Sequence, residues 1–447
     1  MTFLARYRGL VLLLALLTAL CTGQAARAQL ASSPGLPRGD AKTAGFDSDK
    51  LAAIDGLLKR AVEQRQIAGG AALVARKGKI AHLATAGMQD AEAGVPISEA
   101  TIYRIASMTK PVTSVAAMML VEEGKLALSD PVAKFIPEFK QVRVLTKDAQ
   151  PNQPLDRITT PVTTPLTVRH LLNHTSGITY GFWDRPILGK LYREAGVSDG
   201  LIETPGTTAD NARRLASAPL IFQPGAAWEY GLNTDLLGRV VEVASGQSLD
   251  QFFQTRIFEP VGMRDTHFIL PAEKRTRLAA LYTPDDSKKI RRVGEGPQQI
   301  GTTRFSATYP LADNSQYHSG GAGLVSTLGD YARFLQMLLN HGEFNGRRLL
   351  KAETITQMTR NQIGDLSPSI NTHGDKFGYG FGIVTAASQP AEVASLGSYS
   401  WGGIFYTYFL VDPDKELIAI CTTQIYPFDH LTLHGDFKRV TYAALLP

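Results

Sequence analysis

Thr101-Ile102-Tyr103-Arg104-Ile105-Ala106-Ser107-Met108-Thr109-Lys110 is the stretch that decides how the rest of this chain is read. It sets a hydroxyl three residues before an amine. If a helix starts here, positions i and i+3 share a face one turn apart, so Ser107 and Lys110 can meet. A free serine is a poor nucleophile and needs a neighbour that takes its proton. A lysine can do so only where burial or nearby cations weaken its hold on its own proton. Ser-x-x-Lys by itself is common on solvated helix surfaces, so the flanks carry the argument. The run Pro111-Val112-Thr113-Ser114-Val115-Ala116-Ala117-Met118-Met119-Leu120 is apolar on nearly every side, which predicts a buried helix. A lysine one turn into a buried helix is expensive unless it has a partner or a task. The pair therefore predicts a serine acyl-transfer centre with lysine, not histidine, beside the nucleophile.

Two further segments carry chemistry. Tyr230, in Trp228-Glu229-Tyr230-Gly231-Leu232-Asn233, falls on a turn just before a helical pattern. A phenol beside an ammonium ionises more easily and can act as general base and then general acid. Trp401-Gly402-Gly403 is expected to open a strand over residues 404–411. Adjacent glycines at a strand end let a substrate or another backbone approach closely, and a strand edge can offer N–H groups to a developing oxyanion.

Other matches are decoys. Gly196-Val197-Ser198-Asp199-Gly200 fits Gly-x-Ser-x-Gly, but that motif needs an apolar strand before it, and Lys190-Leu191-Tyr192-Arg193-Glu194-Ala195 is polar and helix-like. His170 and His174 have helical metal-ligand spacing but lack the glutamate of His-Glu-x-x-His. A structural role at the turn 173–177 is expected for them. Arg38-Gly39-Asp40 lies in a Ser-, Pro- and Gly-rich stretch and carries no reading.

Ser107-x-x-Lys110, Tyr230 and Trp401-Gly402-Gly403 stand in the order found in the serine β-lactamase and penicillin-binding-protein-like hydrolases, which this chain resembles. Thr167–Gly177, Gly320–Thr327 and Phe377–Gly382 look similar to that family as well, so the resemblance covers about residues 46–447. The branch it resembles most is the class C-related, family VIII carboxylesterases. The resemblance implies that Ser107 is acylated, that Lys110 and Tyr230 share proton transfer, and that the backbone N–H groups of Ser107 and Ile404 form the oxyanion hole. It implies that Trp401 lines the acyl pocket, with Gly402 and Gly403 beside it. Two positions depart from the lactamases. Leu232 stands where they have an asparagine, Asn233 coming one place late, and Trp401 stands where they have a cation. An indole offers apolar surface and a single donor. Both departures favour neutral acyl esters over amides and anions.

The chain has 447 residues, 44% apolar and 19% charged, without low-complexity runs. Arg6 and Arg8 precede an apolar run from Gly9 to Leu20 that is too short to span a bilayer, and Ala26-Arg27-Ala28 follows. This reads as a signal peptide cut after Ala28, which implies a periplasmic or secreted protein with no stable membrane insertion. Removing residues 1–28 takes away three arginines and no acid, so the formal charge falls from +5 to +2. No basic stripe points to nucleic acid. One cysteine, Cys421, then remains, in a strand-like run where a small buried side chain fits. No metal or cofactor is expected, and the partner is a small-molecule ester, amide or lactam.

Residues 29–45 read as a flexible tether before the hydrolase domain at 46–447. The expected architecture is α/β in the α+β sense. An antiparallel sheet is built from both chain ends (about 46–115 and 310–447), flanked by helices, with a mainly helical region inserted at about 116–309. The pattern at 47–66 predicts a helix capped by Asp47 or Ser48. Strands are expected at 71–75, 79–85 and 416–423, and a closing helix near 430–445. Residues 249–258 read as one helix, and 141–166 as an excursion loop.

Overall fold

The computed structural model describes residues 35–183, 185–370, 375–388 and 392–447. The expected signal peptide lies outside the described residues.

Helix α1 (Ser48–Glu63) starts where the side chain of Asp47 accepts the N–H groups of Asp49 and Lys50. It buries Leu51, Ile54, Leu58 and Ala61 on one face. Strands β1 (Gly69–Arg76), β2 (Lys79–Asp90) and β3 (Val95–Pro96) follow. The chain returns to the same sheet near its end with β4 (Lys376–Phe377), β5 (Gly382–Ile383), β6 (Tyr399–Gly403), β7 (Thr407–Asp412) and β8 (Leu417–Thr422). The spatial order is β4-β5-β6-β7-β8-β1-β2-β3, with neighbours antiparallel throughout. The sheet built from both chain ends is thus the one expected.

Both faces of the sheet are covered. Strand β8 shows it: Ile418 and Ile420 enter one core while Leu417, Ala419 and Cys421 enter the other. A central strand buried on two sides reads as a continuous apolar run, as this one does. Helices α1 and α5 (Leu433–Ala443) cover the second face. Helix α2 (Thr109–Glu122) and helix α4 (Leu328–Leu339) cover the first, and α2 packs in turn on α3 (Asn233–Ser245) of the inserted region. Every residue of α2 from Thr109 to Leu120 is buried, as its all-round apolarity requires.

Several expectations change. Trp401-Gly402-Gly403 do not open a strand. They close β6, and a turn at 404–406 leads into β7. Cross-strand pairing of Trp401 with Phe409 and Gly403 with Thr407 holds that hairpin. Part of the expected tether is bound: Leu36 and Ala44 are buried, and Gly39 N–H donates to Ile80 C=O at 2.9 Å. Residues 249–258 divide into an α-helical turn (Leu249–Phe253) and a wider π turn (Gln254–Phe258). The loop at 141–166 carries its own ladder between Arg143–Leu145 and Thr159–Pro161.

Candidate active site

The segment entering α2 is clamped before it turns. Tyr103 and Arg104 pair with Ser326 and Val325, and Ile105 N–H donates to Leu324 C=O at 3.1 Å. Ala106 then takes a φ of +43°, a backbone conformation that L-residues with a side chain rarely adopt. Such a residue costs about 1–3 kcal/mol and persists only where its surroundings over-determine it. Here Tyr331 OH donates to Met108 C=O at 2.8 Å, and Thr407 Oγ1 donates to Ile105 C=O at 3.2 Å. Gly403 packs on the same carbonyl, and a Cβ there would collide with it. Gly403 is thus needed so that the end of β6 can approach the serine segment, while a Cβ on Gly402 would press on the Thr407 carbonyl of the same hairpin.

One turn of 3₁₀ helix (Ala106–Met108) carries Ser107 into α2. Lys110 is fully buried. Its Nζ lies 3.2 Å from Ser107 Oγ, 2.8 Å from Tyr180 OH and 2.8 Å from Gly321 C=O. Those three oxygens match the three N–H bonds of an ammonium. The same Nζ lies over the Tyr230 ring, 4.6 Å from its centroid. Gly321 has no room for a side chain, because a Cβ would strike the carboxylate of Asp235. Burial raises the Asp235 carboxyl above its ordinary range, and the charge of Lys110 opposes that rise. The same charge, added to burial, holds His174 well below the usual imidazole range, so it is neutral.

Tyr230 hangs on a loop fixed by aromatic packing against His174, Trp228 and Trp401. Its OH accepts a hydrogen bond from Trp401 Nε1 at 3.0 Å, and its carbonyl accepts one from Trp183 Nε1 at 2.8 Å. Among the described residues, the Tyr230 OH is bonded to Trp401 and not to Ser107 or Lys110.

Ser107, Tyr230, Trp401, Gly402, Gly403 and Ile404 all line one cavity of about 410 Å³, and Lys110 stands behind Ser107. The turn after Gly403 is closed by Tyr406 N–H to Gly403 C=O at 2.9 Å, which leaves Ile404 N–H outside that bond. The residues expected to form the site are thus brought to one place.

Sequence reasoning missed Tyr180, which holds Lys110 more closely than Ser107 does. Burial raises its phenol well above 10, so it stays protonated. No spacing rule flags it; it lies three residues beyond the turn at Gly177. Asp199 was missed too, although it stands inside the Gly-x-Ser-x-Gly decoy. Ser198 itself turns away: its Oγ is 2.6 Å from Thr204 Oγ1 and its N–H donates to Asn211 Oδ1 at 2.8 Å. His170 Nδ1 accepts the Thr167 N–H at 3.2 Å, and His174 Nδ1 meets Asn233 Nδ2 at 2.9 Å, so both histidines are structural. Asn233 and Leu232 are fully buried, and Asn233 is spent on Ser176, His174 and Ile178. No group of metal-ligating side chains is assembled among the described residues.

Comparison with known proteins places this geometry. The family model described as Beta-lactamase matches residues 54–436, and the chain belongs to that family. Esterase EstB of Burkholderia gladioli is 34% identical over 389 residues, 85% of this chain and 92% of EstB. Acyltransferase calJ of Penicillium decumbens is 27% identical over 416 residues, 87% of this chain and 93% of its own length. The solved structure of EstCE1, described as a hydrolase with promiscuous acyltransferase activity, superposes with a TM-score of 0.76 at 26% identity. That match covers 88% of this chain and 99% of EstCE1. The chain is a serine hydrolase with the β-lactamase/transpeptidase-like fold.

Proposed function

We propose that this protein is an exported carboxylesterase that cleaves small neutral acyl esters through an acyl-enzyme on Ser107. The observation that carries the reading is the Lys110 Nζ to Ser107 Oγ approach of 3.2 Å on the wall of a cavity that Tyr230 and Trp401 also line. In the reacting form one member of the Lys110–Tyr230 pair has already given up its proton, and that member takes the proton that Ser107 loses as its oxygen attacks the ester carbonyl. Tyr180 keeps Lys110 aimed. The N–H groups of Ser107 and Ile404 receive the oxyanion. The alcohol leaves with that proton, and water then attacks the acyl-serine, releasing the acid and restoring the Ser107 hydroxyl.

Trp401 argues for neutral substrates. A cation at that place would attract the carboxylate of a β-lactam or a peptide C-terminus, whereas the indole nitrogen is already committed to Tyr230. A second reading is acyl transfer to an alcohol in place of water. The aromatic lining from Phe182, Trp183, Trp401 and Phe428 favours it by disfavouring water, and relatives named as acyltransferases point the same way.

The test is a panel of a short-chain nitrophenyl ester, an anilide and a chromogenic cephalosporin, run with and without added methanol. Ester turnover well above the other two supports the reading, and a methyl ester product supports transfer. Cephalosporin turnover matching ester turnover would make the protein a lactamase. Export predicts a mature chain that begins at Gln29, read by N-terminal sequencing of secreted or periplasmic material.

A further inference from the structure

The cavity has one charged lining residue among the described residues. Asp199 stands beside Tyr180, Phe182 and Leu201, while the rest of the wall is aromatic, aliphatic, hydroxyl-bearing or glycine, with His434. Its Oδ1 accepts the Gly181 N–H at 2.8 Å. Its Oδ2 has no donor among the described residues. Arg304, whose charge reaches it, forms no ion pair with it. Lys110 is already met by three oxygens and has Asp235 as its nearby anion. Asp199 is therefore the anion left over in this site.

A carboxylate oxygen without a protein donor, on a largely aromatic and aliphatic wall, is a strong acceptor and a strong repeller. A hydrogen bond to an ionised acceptor is about twice as strong as a neutral one, and charge–charge interaction grows as the surroundings become less polar. The wall of this cavity adds no cation to offset it, because the position that holds one in the lactamases is Trp401 here; Arg193, Arg214 and Arg304 line the groove that Asp199 borders on its other side.

We propose that Asp199 reads the substrate: its free carboxylate oxygen accepts a hydrogen bond from a hydroxyl or ammonium on the ester and excludes esters that bear a carboxylate. This rests on the esterase reading and narrows it to neutral and cationic esters that carry a donor. The titration of the group agrees. Burial pushes its carboxyl up to about 7, helped by the charge of Asp235, so discrimination sharpens as pH rises through that value. The charges of Asp235 and Arg304 and the phenols of Tyr180, Tyr192 and Tyr317 act on it, and Arg193, Glu194, Glu203 and Arg214 share the groove on its other side. The three phenols are pushed up by burial, and His434 on the cavity wall is held down to about 3, so these four stay uncharged across that range.

The experiment uses matched nitrophenyl esters whose acyl chain ends in methyl, ammonium or carboxylate, and a second set bearing the same groups on the leaving alcohol. In the wild type, kcat/KM for the ammonium ester exceeds that for the carboxylate ester in at least one set. Asp199→Asn, which keeps an acceptor for Gly181 N–H, lowers that ratio about tenfold or more, the equivalent of about 1.4 kcal/mol. Should the variant not fold, the wild-type ratio measured across pH carries the test: it rises as pH passes about 7. A ratio that Asp199→Asn leaves unchanged in both sets, or a pH-independent ratio, overturns the proposal. Failure of the wild type to cleave the neutral ester overturns the esterase reading instead, and this inference with it.

Discussion

The segments 101–110 and 177–201 face each other across one cavity and are built on opposite terms. The first is local and fully bonded: three residues of spacing join Ser107 to Lys110, and all three N–H bonds of Lys110 find oxygens. The second sets Tyr180 and Asp199 on the loops either side of a helix (Pro186–Ala195) and leaves one Asp199 oxygen without a donor among the described residues. A buried polar network that is complete holds its members rigidly, while an unmet acceptor is held in readiness for a ligand. The difference suggests a division of labour, with chemistry on the closed side and selection on the open one.

The largest effect separates the two serines. Ser107→Ala is expected to lower ester kcat by roughly 10⁴-fold or more, leaving what binding and oxyanion contacts supply, with circular dichroism unchanged. Ser198→Ala leaves kcat within a factor of about three, because Ser198 Oγ is engaged with Thr204 outside the cavity. Equal losses in the two variants would erase the contrast.

The two tyrosines come next. Tyr230→Phe removes a proton carrier and lowers kcat about 10²–10³-fold. Tyr180→Phe removes an oxygen from a buried ammonium, a penalty of about 1–3 kcal/mol. It shows as a lower melting temperature together with a smaller loss of kcat. A larger kcat loss in Tyr180→Phe than in Tyr230→Phe would transfer the proton-carrying role to Tyr180.

Trp401→Phe keeps the apolar wall but deletes the donor to the Tyr230 OH. One neutral hydrogen bond is worth about 1 kcal/mol, so kcat falls about fivefold while KM for a neutral ester changes little.

The smallest effect is on stability. Asp199 has a folded-state carboxyl raised to about 7 from 3.8. A raised carboxyl favours the protonated fold, so the contribution of Asp199 to stability declines as pH rises from about 3.8 through about 7 and is flat beyond. Asp199→Asn removes that decline. Its melting temperature matches the wild type below the window and exceeds it by about 1–3 °C above it. A variant that gains equally at every pH would show that Asp199 is not held above its ordinary range.

Legibility followed distance along the chain. The strands at both ends, the buried helix α2 and the Ser107–Lys110 pair were readable because each is set by periodicity or by spacing within one element. Trp401-Gly402-Gly403 were recognised as a close-approach point but assigned to the wrong strand. Glycines resemble a strand opening, and the turn that follows is made by Tyr406 at a φ of +61°, a residue with no turn signature. Tyr180 and Asp199 were unreadable because tertiary packing alone brings them to Lys110 and to the cavity. The Gly196–Gly200 motif marked the right place for the wrong reason, since its aspartate, not its serine, enters the site.

The most direct measurement is labelling with a fluorophosphonate probe followed by peptide mapping by mass spectrometry. One adduct, on Ser107, whose formation runs in step with the loss of ester turnover, is the result expected. An adduct on Ser198, or undiminished ester hydrolysis by a protein whose Ser107 carries the probe, would contradict it.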